Sequence, residues 1–120
     1  MTNAVSASSG LRFLDATRLQ APLVEPLDVR TLAGISIGTF DGVVVDPAER
    51  RVRYLVVDRG SLIPERCLIP LPSTSVDTEH HTLSLDVDAA DSPHWQQFDP
   101  ITFPRFSDDD MVTAMFAPRD

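Results

Sequence analysis

The segment Asp77–Thr82, Asp-Thr-Glu-His-His-Thr, concentrates residue types that bind metal ions. Imidazole nitrogens and carboxylate oxygens are the usual zinc ligands other than thiolates. Neighbouring side chains of a strand point to opposite faces, so His80 and His81 share an ion only where a turn brings them together. The segment lies between two strand patterns, and we therefore predict a solvated hairpin tip, with Asp77 and Glu79 in solvent and no metal site.

The other groups that could do chemistry form no recognisable catalytic set. Asp108–Asp110 lack the spacing and the glycine of a calcium-binding loop, and we predict them in the first turn of a helix capped by Ser107. With 18 acidic residues, chance carboxylate pairs are expected. No nucleophile elbow, phosphate-binding glycine loop or Cys-x-x-Cys motif occurs. The sequence predicts no catalytic residues, no cofactor, and a protein that is not an enzyme.

The charge of the chain and its single cysteine indicate which classes of partner it binds and in which cell compartment it works. The formal net charge is −8 and all basic residues are arginines, so phosphate backbones and anionic membranes are repelled. Cys67 lies in the apolar run Cys-Leu-Ile-Pro-Leu, which favours a small buried side chain in a reducing compartment. The first residues have no signal-peptide pattern, and no apolar stretch is long enough for a bilayer. We predict a cytoplasmic protein that binds neither nucleic acid nor membrane.

Strand patterns occupy the middle of the chain, whose 120 residues favour one domain. Short alternating segments separated by turn residues are typical of a small barrel or sandwich. The Asp46-Pro47 dipeptide is a turn in which Asp46 accepts backbone hydrogen bonds. The predicted strands cover Leu27–Leu32, Ile35–Asp46, Arg51–Asp58, Glu65–Leu71 and Leu83–Val87, with Pro70 near a strand end.

Outside these strands the sequence predicts little regular structure. Residues 1–10 are small and polar, as in a flexible tail, and residues 11–26 are expected to form a helical turn or an irregular lead-in. A short helix is predicted with Ser92 as N-cap and Pro93 at its first position. Trp95 and Phe98 follow and are apolar enough to close one end of a barrel. A second helix is predicted over Ser107–Phe116.

The stretch Gly38–Gly60, GTFDGVVVDPAERRVRYLVVDRG, resembles the signature of the PRC-barrel family. The resemblance covers Leu27 to Phe98 and implies a mainly β fold, a small PRC-type barrel with one or two short helices at its C-terminal side. Residues 1–26 then form the tail and lead-in, 27–98 the barrel domain, and 99–120 a C-terminal extension. Because the family runs one strand through Asp41-Gly42, we predict a bulge there rather than a hairpin turn.

The resemblance implies a docking role, since similar barrels in the photosynthetic reaction-centre H subunit and in a ribosome-maturation factor are docking surfaces. No catalytic residues carry over to this chain. We predict a non-catalytic binding or adaptor module that makes protein–protein contacts and self-associates. The alternative is an accessory factor in RNA processing or ribosome maturation, favoured by Arg50, Arg51 and Arg53 at one turn and opposed by the net charge.

Apolar residues crowd the C-terminal quarter, where Pro100 and Pro104 interrupt regular structure. A short, kinked segment cannot bury them all against itself, and aromatic and Met side chains are enriched at interface cores. We therefore predict a homodimer, with a tail that wraps only its own barrel as the alternative. The candidate interface residues are Trp95, Phe98, Phe103, Phe106, Met111, Met115 and Phe116.

Overall fold

The computed structural model describes residues 10–16, 27–60, 62–77 and 79–116, and it is mainly β. Eight strands lie in this part of the chain, together with a 3₁₀ helix at Ala89–His94 and one α-helix, α1, at Asp108–Phe116. The strands are β1 (Arg12–Asp15), β2 (Asp28–Thr31), β3 (Ser36–Asp46), β4 (Arg51–Asp58), β5 (Arg66–Pro70), β6 (Thr74–Asp77), β7 (Thr82–Leu85) and β8 (Gln96–Gln97).

The strands form one sheet in the order β6-β7-β2-β3-β4-β5-β8, in which only β2 and β7 pair in parallel. The long strand β3 pairs with β4 along one side. On its other side the first half of β3 pairs with β2 and the second half with β1. One strand thus holds both N-terminal strands in place.

A bulge divides the two halves of β3, as predicted for Asp41-Gly42. The register with β4 shifts between Phe40 and Gly42. Gly42 has φ +150°, and a Cβ there would collide with the carbonyl oxygen of Leu14 in β1. Glycine is required because β1 approaches the backbone of β3 too closely for a side chain.

The predicted Asp46-Pro47 turn is confirmed. The Asp46 carboxylate accepts a hydrogen bond from the Glu49 N–H at 3.2 Å, and the Pro47 carbonyl accepts one from the Arg50 N–H at 3.2 Å. Arg50 adopts φ 55°, which closes the turn. The hairpin that joins β3 to β4 is therefore fixed by local hydrogen bonds.

Hydrophobic side chains pack on both faces of the sheet. The inner cluster includes Val29, Val57, Ile69 and Leu85. The outer cluster is covered by β1 and by residues after β8, and its members are Leu11, Phe13, Val44, Val56 and Leu68, with Tyr54, Phe98 and Phe103 packed against them. Successive strand residues point to opposite faces, and three consecutive residues at the end of β4 are buried, so this strand is buried on both sides.

Among the described residues no pairing joins β6 to β8, so the sheet does not close into a complete barrel. The mainly β prediction is confirmed, whereas closure is not seen. The two ends of the sheet are weak pairing partners, since β8 contains only two residues and β6 is exposed along its whole length.

Two local predictions were wrong. The lead-in contains a strand, β1, which pairs from Arg12 to Asp15 with β3, because the sheet supplies the partners that the short segment lacks alone. The rest of the lead-in, residues 17–26, lies outside the described residues. The helix near residue 92 is capped by Asp88, whose carboxylate accepts from the Ala90 N–H at 2.9 Å, and it contains Ser92 and Pro93.

The prediction of Ser107 as a helix cap is confirmed. The Asp110 N–H donates to the Ser107 Oγ at 3.4 Å, and the Ser107 N–H donates to the Asp110 Oδ2 at 2.9 Å. This reciprocal pair satisfies two backbone donors at the start of α1. No helix in the described part of the chain is both long and apolar enough to cross a membrane.

Candidate functional site

A groove of about 1100 Å³ lies between the two sides of the open sheet. Its walls come from the ends of β2, β5 and β7, from the 3₁₀ helix, and from the start of β8. The lining residues include Thr31, Leu32, Ile35, Ile69, Pro70, Asp86, Val87, Asp88, Asp91, His94 and Trp95. We refer to this cavity as the groove.

The turn between β2 and β3 gives the groove an apolar wall. Leu32 is 66% exposed and Ile35 is 52% exposed, although both are large hydrophobic residues. The turn that presents them is well fixed. The buried Thr31 accepts from the Ile35 N–H at 3.2 Å through its Oγ1, and its carbonyl accepts from the Gly34 N–H at 2.9 Å. The two side chains are therefore held in solvent by a rigid turn.

The opposite wall contains the end of β5. On the side away from β4, β5 pairs with β8 only at Cys67 and Leu68. Within the described residues no strand pairs with Ile69 and Pro70 on that side. An unpaired strand end beside an apolar cavity is a place where another chain can pack.

Trp95 forms part of the groove and also packs against the inner cluster. The Arg59 guanidinium lies over its ring, 5.8 Å from the ring centroid, and donates to the Ser92 Oγ at 3.5 Å. A cation over an aromatic face is attracted by the ring quadrupole. These contacts fix the position of Trp95 at the groove.

Three carboxylates line the groove, those of Asp86, Asp88 and Asp91, and all three residues are exposed. Asp88 accepts from the Ala90 N–H, and among the described residues the side chains of Asp86 and Asp91 have no ion-pair partner within 4.0 Å. Among the residues that the structure describes, no arginine lines the groove, and His94 is the one basic side chain that does. The groove thus combines apolar walls with local negative charge.

The sequence did not point to this groove. Asp86 falls within the predicted strand Leu83–Val87, and Asp88 and Asp91 fall between that strand and the predicted cap Ser92, so no pattern marks them as site residues. One available signal was the turn Leu32–Ile35, which carries two large apolar side chains where polar turn residues are expected.

The candidate interface residues do not lie together on one surface. Phe98 and Phe103 pack on the outer cluster, where the Phe98 ring lies 5.5 Å from Phe13 and 5.1 Å from Phe103. The segment from Pro104 to Phe106 runs beside β1, since the Phe13 N–H donates to Pro104 and the Phe106 N–H donates to Phe13. Trp95 and Phe106 are half-buried, whereas Met111 and Met115 are exposed on α1. The side chain of Phe116 lies outside the described residues.

The histidine segment forms the predicted hairpin tip between β6 and β7. His80 Nδ1 lies 2.7 Å from Asp77 Oδ2, and the hydrogen bond from the ring lowers the pKa of Asp77. Asp77, Glu79 and His80 each offer one atom that could bind a metal ion, and these three atoms lie within 4.8 Å of one another. All three residues are exposed. His81 has φ 51°, and its Nδ1 is buried without a hydrogen-bond partner. The Asp77–His80 bond accounts for this arrangement as a closing contact of the hairpin.

A model of the PRC-barrel domain family matches residues 21–91, which is more than half of the chain. The match contains the signature stretch, the groove turn and Asp86, Asp88 and Asp91. Comparison with curated proteins gave no matching relative.

Proposed function

The chain belongs to the PRC-barrel domain family, and on that premise we propose that it is a non-catalytic module that binds a protein partner through the groove. PRC-barrel domains are generally non-catalytic modules. The observation that carries the proposal is the pair of exposed apolar side chains, Leu32 and Ile35, held at a rigid turn beside a large open cavity.

The chemistry of the groove supports binding rather than catalysis. Its polar lining residues are three exposed aspartates, His94, Gln96 and the hydroxyl residues Thr31 and Tyr54. Among the described residues no Ser, Thr or Cys side chain forms a hydrogen bond with a histidine ring, which is the contact that activates a nucleophile. Apolar walls that remain open to solvent match the core of a protein interface.

The test compares two matched pairs of apolar residues. Leu32→Ser/Ile35→Ser removes the groove wall, while the control Leu62→Ser/Ile63→Ser removes two residues that are 96% and 79% exposed on the β4–β5 loop and do not line the groove. Each full-length protein is immobilised and exposed to native lysate, and bound proteins are quantified by mass spectrometry. We expect the amount of at least one bound protein to fall about tenfold or more with the groove variant and to stay unchanged with the control. Equal retention by both variants would contradict the proposal.

We also propose that the domain self-associates through α1. Met111 and Met115, one helical turn apart, are exposed together with Val112. Methionine is enriched at interface cores, and two-fold pairing is the commonest arrangement of soluble proteins. Of the predicted interface residues, Trp95, Phe98 and Phe103 instead pack on their own sheet. We propose the methionine face of α1 as the surface for a second copy.

Sedimentation equilibrium of the full chain tests this second proposal. We expect a dimer mass at micromolar concentration and a monomer mass for Met111→Ser/Met115→Ser. Leu62→Ser serves as the control, because it removes an even more exposed apolar residue that is far from α1 in sequence. A monomer mass for the unchanged protein would leave the C-terminal extension as an intramolecular cover.

A further inference from the structure

We infer that the partner segment in the groove carries a basic side chain, Arg or Lys, next to apolar side chains; this inference rests on the function proposed above. The groove offers two kinds of contact at once. Leu32, Ile35 and Val87 supply apolar area, and Asp86, Asp88 and Asp91 supply three negative charges beside it.

Within the described residues, no basic side chain forms an ion pair with Asp86, Asp88 or Asp91. Arg59 contacts the lining residue Trp95, but its guanidinium lies over that ring and donates to Ser92. The other charged pairs of the described residues lie elsewhere, at Asp28, Asp41, Asp46, Asp77 and Asp110. With a net charge of −8, the surrounding surface adds to the negative potential.

Charge complementarity therefore selects the occupant. An anionic segment would place like charges side by side, and a purely apolar segment would desolvate the carboxylates without replacing their water. An Arg or Lys side chain packs its aliphatic stem on the apolar wall while its charged end reaches the carboxylates. A polypeptide with such a residue beside Leu, Ile or Val matches both features.

The experiment selects peptides instead of assuming a sequence. A random peptide library displayed on phage is panned against the full-length protein and against Asp86→Asn/Asp88→Asn/Asp91→Asn. Asparagine keeps the size of each side chain and is itself a good N-cap, so the 3₁₀ helix that Asp88 caps is preserved. We expect Arg or Lys beside apolar residues in peptides selected on the unchanged protein and no such excess on the triple variant.

Binding of the best peptide is then measured by the fluorescence of Trp95, the single tryptophan of the chain. We expect its Kd to rise roughly tenfold or more in the triple variant, and to rise with salt between about 50 and about 300 mM in the unchanged protein alone. Peptide binding is also measured in two double variants, the groove variant Leu32→Ser/Ile35→Ser and the control Leu62→Ser/Ile63→Ser. Weaker binding in the groove variant alone places the peptide in the groove.

Two results would overturn the inference. The first is a set of selected peptides without an excess of Arg or Lys, and the second is an equal Kd in the triple variant. Either result would mean that the carboxylates do not recognise the partner. The proposed function would still stand if Leu32→Ser/Ile35→Ser lost binding. Conversion of a dimer to a monomer by the three Asn substitutions would make a second copy the occupant. Loss of partner binding only from the Leu62 pair would instead refute the proposed function.

Discussion

Cys67 illustrates at the residue scale how burial sets chemistry. Its thiol lies on β5 and donates to the Val57 carbonyl at 3.6 Å. Burial raises the pKa of the Cys67 thiol from its ordinary value of 9.0 to about 11, with smaller effects from Arg59, which lowers it, and from Glu65 and Asp58, which raise it. The prediction that Cys67 is a small buried side chain is confirmed. A thiol held in its neutral form is a poor nucleophile.

We predict that native Cys67 reacts with iodoacetamide at pH 8 roughly 100-fold more slowly than the urea-unfolded chain, since the higher pKa reduces the thiolate fraction by about that factor. Because the folded pKa is raised, this group stabilises the fold below pH 9 and the contribution is lost as the pH rises from 9 towards 11. Mass-spectrometric alkylation kinetics measure the ratio. Equal rates in the native and unfolded chains would show an accessible thiol.

At the scale of the element, β4 holds the two hydrophobic clusters together. Val56 belongs to the outer cluster, and its neighbours Leu55 and Val57 belong to the inner cluster. The strand is paired on both edges, by β3 and by β5. A change in β4 therefore affects both faces of the sheet.

Val56→Ala is expected to lower the free energy of unfolding by about 1–3 kcal/mol, from lost burial and the cavity left behind. Val76→Ala, the same substitution on the exposed strand β6, is the control and should cost less than about 1 kcal/mol. Urea titration of both variants measures the difference. An unchanged midpoint for Val56→Ala would contradict the place of Val56 in the core.

The helix α1 is held to the sheet by one carboxylate. Asp110 accepts from Arg12 Nε of β1 at 3.1 Å and from the Ser107 N–H and Oγ at 2.9 and 3.0 Å. Asp110 is buried, whereas its neighbour Asp109 is exposed. One side chain thus caps the helix and also fixes it to the N-terminal strand.

Asp110→Ala should destabilise the protein by about 1–3 kcal/mol, because it removes the cap contact and leaves Arg12 without its carboxylate partner. Asp109→Ala removes the same charge one residue earlier and is expected to cost much less. Hydrogen exchange of the amides of α1, together with urea titration, distinguishes the two. Equal destabilisation by both variants would mean that charge at the helix start, rather than these contacts, matters.

At the scale of the whole molecule, net charge governs which large partners are accessible. Arg50 and Arg51 are exposed at the β3–β4 turn, while Arg53 lies 3.8 Å from the Asp46 carboxylate. These arginines favour the alternative role in RNA processing, and the net charge of −8 opposes it. Proteins gain affinity for nucleic acids when their basic side chains neutralise phosphates and release bound counterions. A negatively charged protein surface releases few counterions.

We predict no measurable binding of RNA or DNA near physiological salt. Fluorescence anisotropy with labelled single-stranded and duplex RNA measures this, with a basic RNA-binding protein as the positive control. A micromolar affinity that weakens with salt and disappears in Arg50→Glu/Arg53→Glu would contradict the prediction and favour the RNA-related role.

Several features of this fold follow from patterns of residues that are close together in sequence. The Asp46-Pro47 turn and the Ser107 cap depend on neighbouring residues, so residue type and spacing are enough to predict them. The single strand through Asp41-Gly42 is different, because its prediction rests on the resemblance to the PRC-barrel family. The alternation along β4 and β7 also predicts that Val56, Leu83 and Leu85 are buried, and all three lie in the core.

Tertiary structure alone decided the features that need distant partners. The strand β1 exists because β3 pairs with it, and nothing in its four residues distinguishes it from a lead-in. The groove joins the turn after β2, the end of β5 and the carboxylates after β7, which are remote in sequence. Among the described residues the end strands β6 and β8 do not pair, and whether two strands so far apart in sequence meet depends on the tertiary fold. Hydrophobic patterning identifies what is buried, but the choice of partner depends on contacts that no local pattern encodes.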